Sequence, residues 1–426
     1  MNWRQIRANI LMVGGSQLGQ KLVGFLVIAI MTRHLARERM GEFFLAAAIG
    51  TIAAQATELG TTRHLIRSVA RDRGRALDHL SRVISLRLPV MLLVFLLINA
   101  ACLVVRPALS GTLLLVSFYL LLQDLVFSFS AFFVGLELYG YRVTIELVGQ
   151  VVLAGLVLLV VSQGGELQAL LWAYVVTHAT VVAVTFGIVR AKHGPVHLRW
   201  DPEGSKDVLR QSLPVFGITI LDAVHFKAGT VMLGFLQPLP AVASYEAAYR
   251  LFEVSRLGIR PIALIFYPIC VALAARHDWP ELRRLFRKLT RTSLLIGAAV
   301  ALVVVTTAGL VVPLVFGAKY HDSVALARVL FLAAPTLFTG VVTVFLIHTL
   351  HLELIALRVV ITCLVANVAL NAVAIPVWGP MGAAWVTLVT QTLWSVWIVR
   401  IVLRRLREAR VPSVDLATPE EESFAV

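Results

Sequence analysis

The chain has 426 residues, of which 59% are hydrophobic and only 15% charged, with a mean hydropathy of +0.85. A water-exposed domain of that composition would aggregate, whereas repeated apolar runs of about 20 residues fit spans of a hydrocarbon core roughly 30 Å thick. The net charge of +14 does not mark a nucleic-acid partner, because of where the basic residues fall.

Twelve spans are predicted, at roughly 9–31, 41–61, 83–105, 112–135, 144–163, 168–189, 212–236, 241–274 (long and interrupted), 292–316, 325–350, 355–376 and 381–403. No ten-residue alternation appears, which argues against a β-barrel. Arg4 and Arg7 precede the first run, but it is too long for a signal peptide and no small-residue cleavage site follows, so it reads as an uncleaved span. With the amino end inside, 27 of the 38 Lys and Arg are assigned to the side of the termini, seven of them to the loop between spans 2 and 3 when Arg87, just inside span 3, is counted with it. Five lie on the other side: Arg33, Arg37, Arg39, Arg106 and Lys319. This bias predicts a multi-pass membrane protein with both termini cytoplasmic. Arg283, Arg284, Arg287, Lys288 and Arg291 are placed to sit on anionic lipid heads as well.

The longest polar stretch between spans, about 190–211, carries His193-Gly194-Pro195 and Asp201-Pro202-Glu203-Gly204, both turn signals. It divides the chain into a first six-helix bundle with its following loop (1–211), a second six-helix bundle (212–405) and an acidic, proline-containing tail (406–426) read as disordered. The halves echo each other. Leu35 precedes Phe44 and Ala46-Ala47 as Leu236 precedes Tyr245 and Ala247-Ala248, and Ala169–Trp172 before Val176-Thr177 parallels Gly382–Trp385 before Val389-Thr390. Six spans each gives both halves the same orientation, so the expected fold is an all-α membrane protein of two parallel-repeat bundles around a central cavity.

Charges inside spans are costly and by default face a partner or a water-filled cavity. In the first span Lys21 lies about 18 Å past Asn9, close to the midplane, and either faces a cavity or pairs with a carboxylate such as Glu58 of the second span. Asp124 in the fourth span is a further cavity candidate. In the seventh, Asp222 and His225 share a face, but Lys227 lies about 140° from Asp222 and needs a partner on another span. A carboxylate beside a histidine suits a coupling cation or proton, and a plain interhelical hydrogen bond serves equally. The eighth span is the strongest signal. Glu246, Arg250, Glu253, Arg256 and Arg260 fall within an arc of about 120°, with i,i+4 and i,i+3 pairing between opposite charges and a bend expected at Pro261. Arg328, early in the tenth span, reads as a snorkelling surface residue.

No GxSxG, Walker-type loop, HExxH or metal-ligand cluster is visible, so the chain reads as a non-enzyme that binds no cofactor or metal. Transport by such a chain runs on an ion gradient, the membrane potential or the substrate's own gradient. The three cysteines, Cys102, Cys270 and Cys363, sit in apolar segments without CxxC spacing and read as packing residues.

Several motifs together resemble a known family. Thr32-Arg33-His34-Leu35, Met40-Gly41-Glu42-Phe43-Phe44, Glu58-Leu59-Gly60 and Arg67…Ala70-Arg71 are similar to the opening of the polysaccharide transporters of the multidrug/oligosaccharidyl-lipid/polysaccharide exporter superfamily. Tyr245…Ala248-Tyr249-Arg250-Leu251-Phe252-Glu253…Pro268 resembles their eighth helix. Phe316-Gly317-Ala318-Lys319-Tyr320 and Asn367…Asn371…Ile375-Pro376…Gly379…Gly382-Ala383-Ala384…Thr387 resemble motifs of their second half.

The resemblance implies a flippase that carries an undecaprenyl-diphosphate-linked oligosaccharide repeat unit across the bacterial cytoplasmic (inner) membrane by alternating access. The pathway would be O-antigen or exopolysaccharide biosynthesis. It implies as partners that lipid-linked glycan, membrane lipids, and the polysaccharide polymerase and assembly proteins, but no nucleic acid. Arg250 and Glu253 fall where lipid II flippases also carry Arg and Glu. The arginines those proteins have on helices 1 and 2 are matched here by apolar residues, and twelve spans fit better than the two further carboxy-terminal helices those proteins commonly carry, which favours a surface-polysaccharide substrate. Lys21, Lys227, Arg250, Arg256 and Arg260 are then expected on the diphosphate-sugar head. Glu58, Asp124, Asp222, His225, Glu246 and Glu253 are expected to gate or to couple to Na⁺ or H⁺. A cation-coupled multidrug exporter of the same superfamily is the alternative, and a multi-span polymerase or ligase a more distant one.

Overall fold

The computed structural model describes residues 3–198, 201–350 and 352–408, and among them all side chains except those of 3–11, 13 and 260–264. These residues form fourteen α-helices and no strand: α1 (Trp3–His34), α2 (Arg37–Glu58), α3 (Thr61–Arg71), α4 (Ala76–Val105), α5 (Ser110–Gly135), α6 (Tyr139–Ser162), α7 (Leu167–Lys192), α8 (Pro202–Leu236), α9 (Leu239–Ser255), α10 (Arg260–Ala275), α11 (Trp279–Phe316), α12 (Ser323–Phe331), α13 (Ala334–Thr349) and α14 (Glu353–Glu408).

Fourteen helices make twelve spans. α3 continues α2 past a turn at Leu59-Gly60, where both residues have positive φ. A short 3-10 turn, Arg256–Gly258, separates α9 from α10, and α12 and α13 form one span bent by 49°. α14, at 56 residues, would run about 84 Å if straight, far more than a bilayer needs. It doubles back at Gly379, whose φ of 56° and ψ of −136° lie outside the helical region. The hydrogen bond from Asn367 Nδ2 to Thr390 Oγ1 (3.0 Å) joins residues that a straight helix would hold some 34 Å apart. Gly379, between Pro376 and Pro380, is therefore the tip of an antiparallel pair.

Several helices overrun the spans read from hydropathy, all towards the side that carries the termini (the terminal side). α8 begins at Pro202 and α11 at Trp279, ten and thirteen residues before the apolar runs. Backbone hydrogen bonding is indifferent to hydropathy, and Lys, Arg and Glu are good helix formers. The starts are capped: the Asp201 carboxylate accepts from Gly204 N (2.9 Å) and that of Asp278 from Glu281 N (3.2 Å), with Pro202 and Pro280 in the first turn. The residues read as a turn in the interhalf loop are thus the cap of α8. Residues 406–408 of the expected tail are likewise still helix, and 409–426 lie outside the described residues.

Spans 1–6 (α1–α7) and 7–12 (α8–α14) form two bundles around a central cavity, and α2 crosses to pack on α8 and α9 of the second. The crossing is close. A Cβ on Gly41 would lie 2.0 Å from the Leu239 carbonyl oxygen, so only glycine fits there.

The first bundle corrects two expectations. Arg87, one of the seven basic residues assigned to the loop between spans 2 and 3, is inside α4 and 1% exposed. Asp124, expected on the cavity, is 4% exposed and pairs with the Arg87 guanidinium. Arg87 also donates to Ser128 Oγ (2.7 Å), and Thr57 Oγ1 donates to the second carboxylate oxygen of Asp124 (3.4 Å). A carboxylate so enclosed has its counter-charge built in and no opening for another cation. Breaking a buried pair from one side costs about 3–5 kcal/mol, while replacing both partners by apolar residues is often neutral. Asp124→Ala is therefore expected to lower the unfolding midpoint in detergent sharply and Arg87→Met/Asp124→Leu to recover most of the loss. A double variant as unstable as the single one would contradict this.

Candidate functional site: a charged network on the second bundle

The Glu246, Arg250 and Glu253 side chains share one face of α9, at successive turns of the helix. The expected single face of five charges stops there. The helix ends at Ser255, six residues before the bend expected at Pro261, so Arg256 sits in the 3-10 turn and its guanidinium lies over the Phe226 ring of α8 (4.7 Å). Arg260 opens α10, and its side chain lies outside the described residues.

Glu246 is the hub. It is 1% exposed and accepts a hydrogen bond from Thr230 Oγ1 of α8. Lys227 Nζ stands 3.7 Å from the same carboxylate oxygen, and Arg250 Nε 3.6 Å from the other. Lys227 has thus found its partner on another span, as its angle to Asp222 requires. Arg250 Nη1 also reaches Glu253 Oε2 at 3.4 Å. The Arg250 guanidinium therefore lies between two carboxylates, at distances long for charge-assisted hydrogen bonds, and its Nε has no acceptor.

The network faces the first bundle. Arg250 sits 5.9 Å from the Phe44 ring of α2, and the hydroxyl-bearing rings of Tyr119 and Tyr174 lie within electrostatic reach of it. Lys21 of α1 is exposed, and its charge reaches the Glu253 carboxylate. Glu58 instead accepts from Gln55 of its own helix, and it lies near Asp124. Asp222 is solvent-accessible and within reach of the Arg256 charge.

His225 points elsewhere. With Tyr245, Asn367, Thr387 and Gln391 it lines a recess inside the second bundle, and its Nδ1 is buried without a hydrogen-bond partner. Tyr245 shares a hydrogen bond with Thr387 there (2.9 Å) and stacks on Tyr249. Arg328 stays at the surface, its Nε donating to the Val305 carbonyl (3.1 Å). Among the described residues no group of three or more His, Cys, Asp or Glu is placed to hold a metal ion.

Sequence reasoning missed Thr230 and Phe44, which have no charge to draw attention, and Arg87, whose place four residues inside an apolar run was the available signal.

The charged network thus lies where the two six-span bundles meet. Solved structures share the fold. An inward-facing multidrug resistance transporter of the MATE family, MOP superfamily, superposes with a TM-score of 0.74 at 16% identity, over 92% of this chain and 96% of that one. The outward-facing conformation of a MATE transporter of the superfamily gives 0.60 at 14% identity, over 95% and 96%. A superfamily transporter from Pyrococcus furiosus, described as having a binding pocket of reverse polarity that suggests a different function, gives 0.61 at 15%, over 96% of both chains. No curated protein matches the sequence. The sequence of residues 6–273 matches the family of polysaccharide biosynthesis proteins, and the chain belongs to that family. Its fold is the one these MOP-superfamily transporters share.

The geometry separates two carboxylates that look equivalent in sequence. Glu246 is the buried counter-charge of two cations, whereas the Glu253 side chain is 36% exposed and can be served by water. Glu246→Gln is expected to cost about 3 kcal/mol of stability and Glu253→Gln less than about 1. Equal shifts of the unfolding midpoint would contradict the assignment of Glu246 as hub.

Proposed function

We propose that this protein is a flippase for a polyprenyl-diphosphate-linked oligosaccharide of surface polysaccharide biosynthesis, working by alternating access in the bacterial cytoplasmic membrane. The terminal side, which carries most of the basic residues, is then cytoplasmic. The reading is supported by the family, whose members take part in polysaccharide biosynthesis.

One observation carries the substrate class. Arg250 is held in place by two carboxylates but bound tightly by neither, and its side chain is 27% exposed. A guanidinium so placed has donors to spare, and its planar fork matches phosphate oxygens two at a time. Lys21, Lys227 and Arg256 lie around it, and together with Arg250 they outnumber Asp222, Glu246 and Glu253. That excess suits a diphosphate better than the cationic drugs of a multidrug exporter. The lipid tail stays in the bilayer while the polar head, which cannot cross hydrocarbon unaided, passes between the bundles. The carboxylates keep the diphosphate from binding too tightly to leave. Glu253 and Asp222, the accessible ones, are the groups through which Na⁺ or H⁺ would couple.

Charged hydrogen bonds of this kind contribute about 1.5–3 kcal/mol, so Arg250→Ala is expected to weaken head-group binding roughly 10- to 100-fold. In cells depleted of the native protein, Arg250→Ala should reach the membrane at normal level yet leave the lipid-linked repeat unit accumulated inside. Arg250→Lys, which keeps the charge but not the fork, should fall between. Full complementation by Arg250→Ala would sink the assignment.

A further inference from the structure

Five Lys and Arg stand on the side opposite the termini, against the charge bias of the chain. The site described above uses none of them. Four reach across to the other bundle. Arg33, at the end of α1, donates to the carbonyls of Leu314 and Val315 at the end of α11. Lys319, just past that end, donates back to the carbonyls of Arg33 and Leu35. Arg106 donates to the Gly234 carbonyl near the end of α8. Arg37, in the first turn of α2, pairs with Asp322 (3.0 Å) and donates to Ser244 Oγ of α9. The fifth, Arg39, pairs with Glu42 of its own bundle.

Three of these cations sit on the last carbonyls of helices in the opposite bundle, where the helix dipole is negative, and Arg33 and Lys319 do so reciprocally. The fourth makes the one full ion pair. Such contacts are individually weak when half-exposed, as these are, so they can be broken in a working cycle, yet together they bias the mouth towards closure. Apolar packing beneath them follows the same seam: Leu45 of α2, fully buried, fills the space left by Gly234 of α8.

We propose that Arg33, Arg37, Arg106 and Lys319 form the latch that closes the mouth opposite the termini, with Arg37–Asp322 its ionic bolt. Opening that mouth releases four cations from the opposite bundle at once, which explains why they are retained on a side where the rest of the chain avoids positive charge. The latch depends on alternating access in this fold and not on the substrate, so it is tested without one.

The test uses the full-length protein in detergent, with Cys102, Cys270 and Cys363 replaced by Ala and a reporter Leu45→Cys at the seam. With the latch intact a bulky polar maleimide should label the reporter slowly. Arg37→Gln or Asp322→Asn should raise the rate several-fold, and the exchange Arg37→Glu/Asp322→Arg should return it towards the starting value. A second reporter, Leu171→Cys, buried in the first bundle, should stay unlabelled throughout, which separates opening of the mouth from unfolding. Unchanged labelling of Leu45→Cys in both single variants, or labelling of both reporters in step, would overturn the proposal. Either result would leave the substrate assignment standing, as loss of that assignment would leave the latch.

Discussion

An ionised side chain inside a bilayer must find a counter-charge or water, and the architecture follows from how each intramembrane charge meets that demand. The two bundles answer it differently. In the first, Arg87 and Asp124 close on each other and are almost inaccessible, with Ser128 and Thr57 completing the shell. In the second, Glu246, Arg250 and Glu253 share their charges at 3.4 to 3.6 Å, and the guanidinium keeps an unaccepted donor. The closed solution stabilises a bundle. The open one leaves electrostatic capacity facing the cavity, and the proposed diphosphate site rests on that difference.

One helix ties the regions together. α9 carries Ser244, which Arg37 grips across the mouth, then Glu246, Arg250 and Glu253, and ends at the 3-10 turn Arg256–Gly258. Ser244 and Arg250 are six residues apart, about 9 Å along the axis. A shift of α9 that releases Ser244 must also move the network against Phe44 and Lys21 of the first bundle. Mid-helix 3-10 turns mark places where a span can bend, and this one lies directly below the charges. The Arg37 end of the proposed latch and the charged network thus share one helix, as the proposed alternating access requires.

Much of the fold was legible in the sequence because hydropathy and helix breakers speak for themselves. The run interrupted near Pro261 and the tip at Gly379 between two prolines both correspond to features of the structure. Helix ends were less legible, since Arg283 to Arg291 read as loop although nothing prevents arginine and lysine from continuing a helix into the headgroups. Partners were the least legible. Lys227 needed a carboxylate on another span, and only packing could choose Glu246; Lys21 was offered Glu58, and its charge reaches Glu253. Asp124 looked like a cavity carboxylate because its partner, Arg87, had been counted with a loop. Charge in a span is visible in a sequence, but whether it is neutralised there depends on a contact between residues 37 positions apart.

The central claim is that this charged network moves an anionic lipid head across the bilayer. The most direct measurement reconstitutes the purified protein in vesicles carrying a labelled polyprenyl-diphosphate oligosaccharide in both leaflets. It then follows how much becomes accessible to a membrane-impermeant glycan-cleaving enzyme. With the protein present, the accessible fraction should rise beyond the outer-leaflet half, and it should stay at half when Arg250 is replaced by Ala. Vesicles in which the native protein leaves that fraction unchanged while carrying a cationic dye would contradict the claim and point to the drug-exporter alternative.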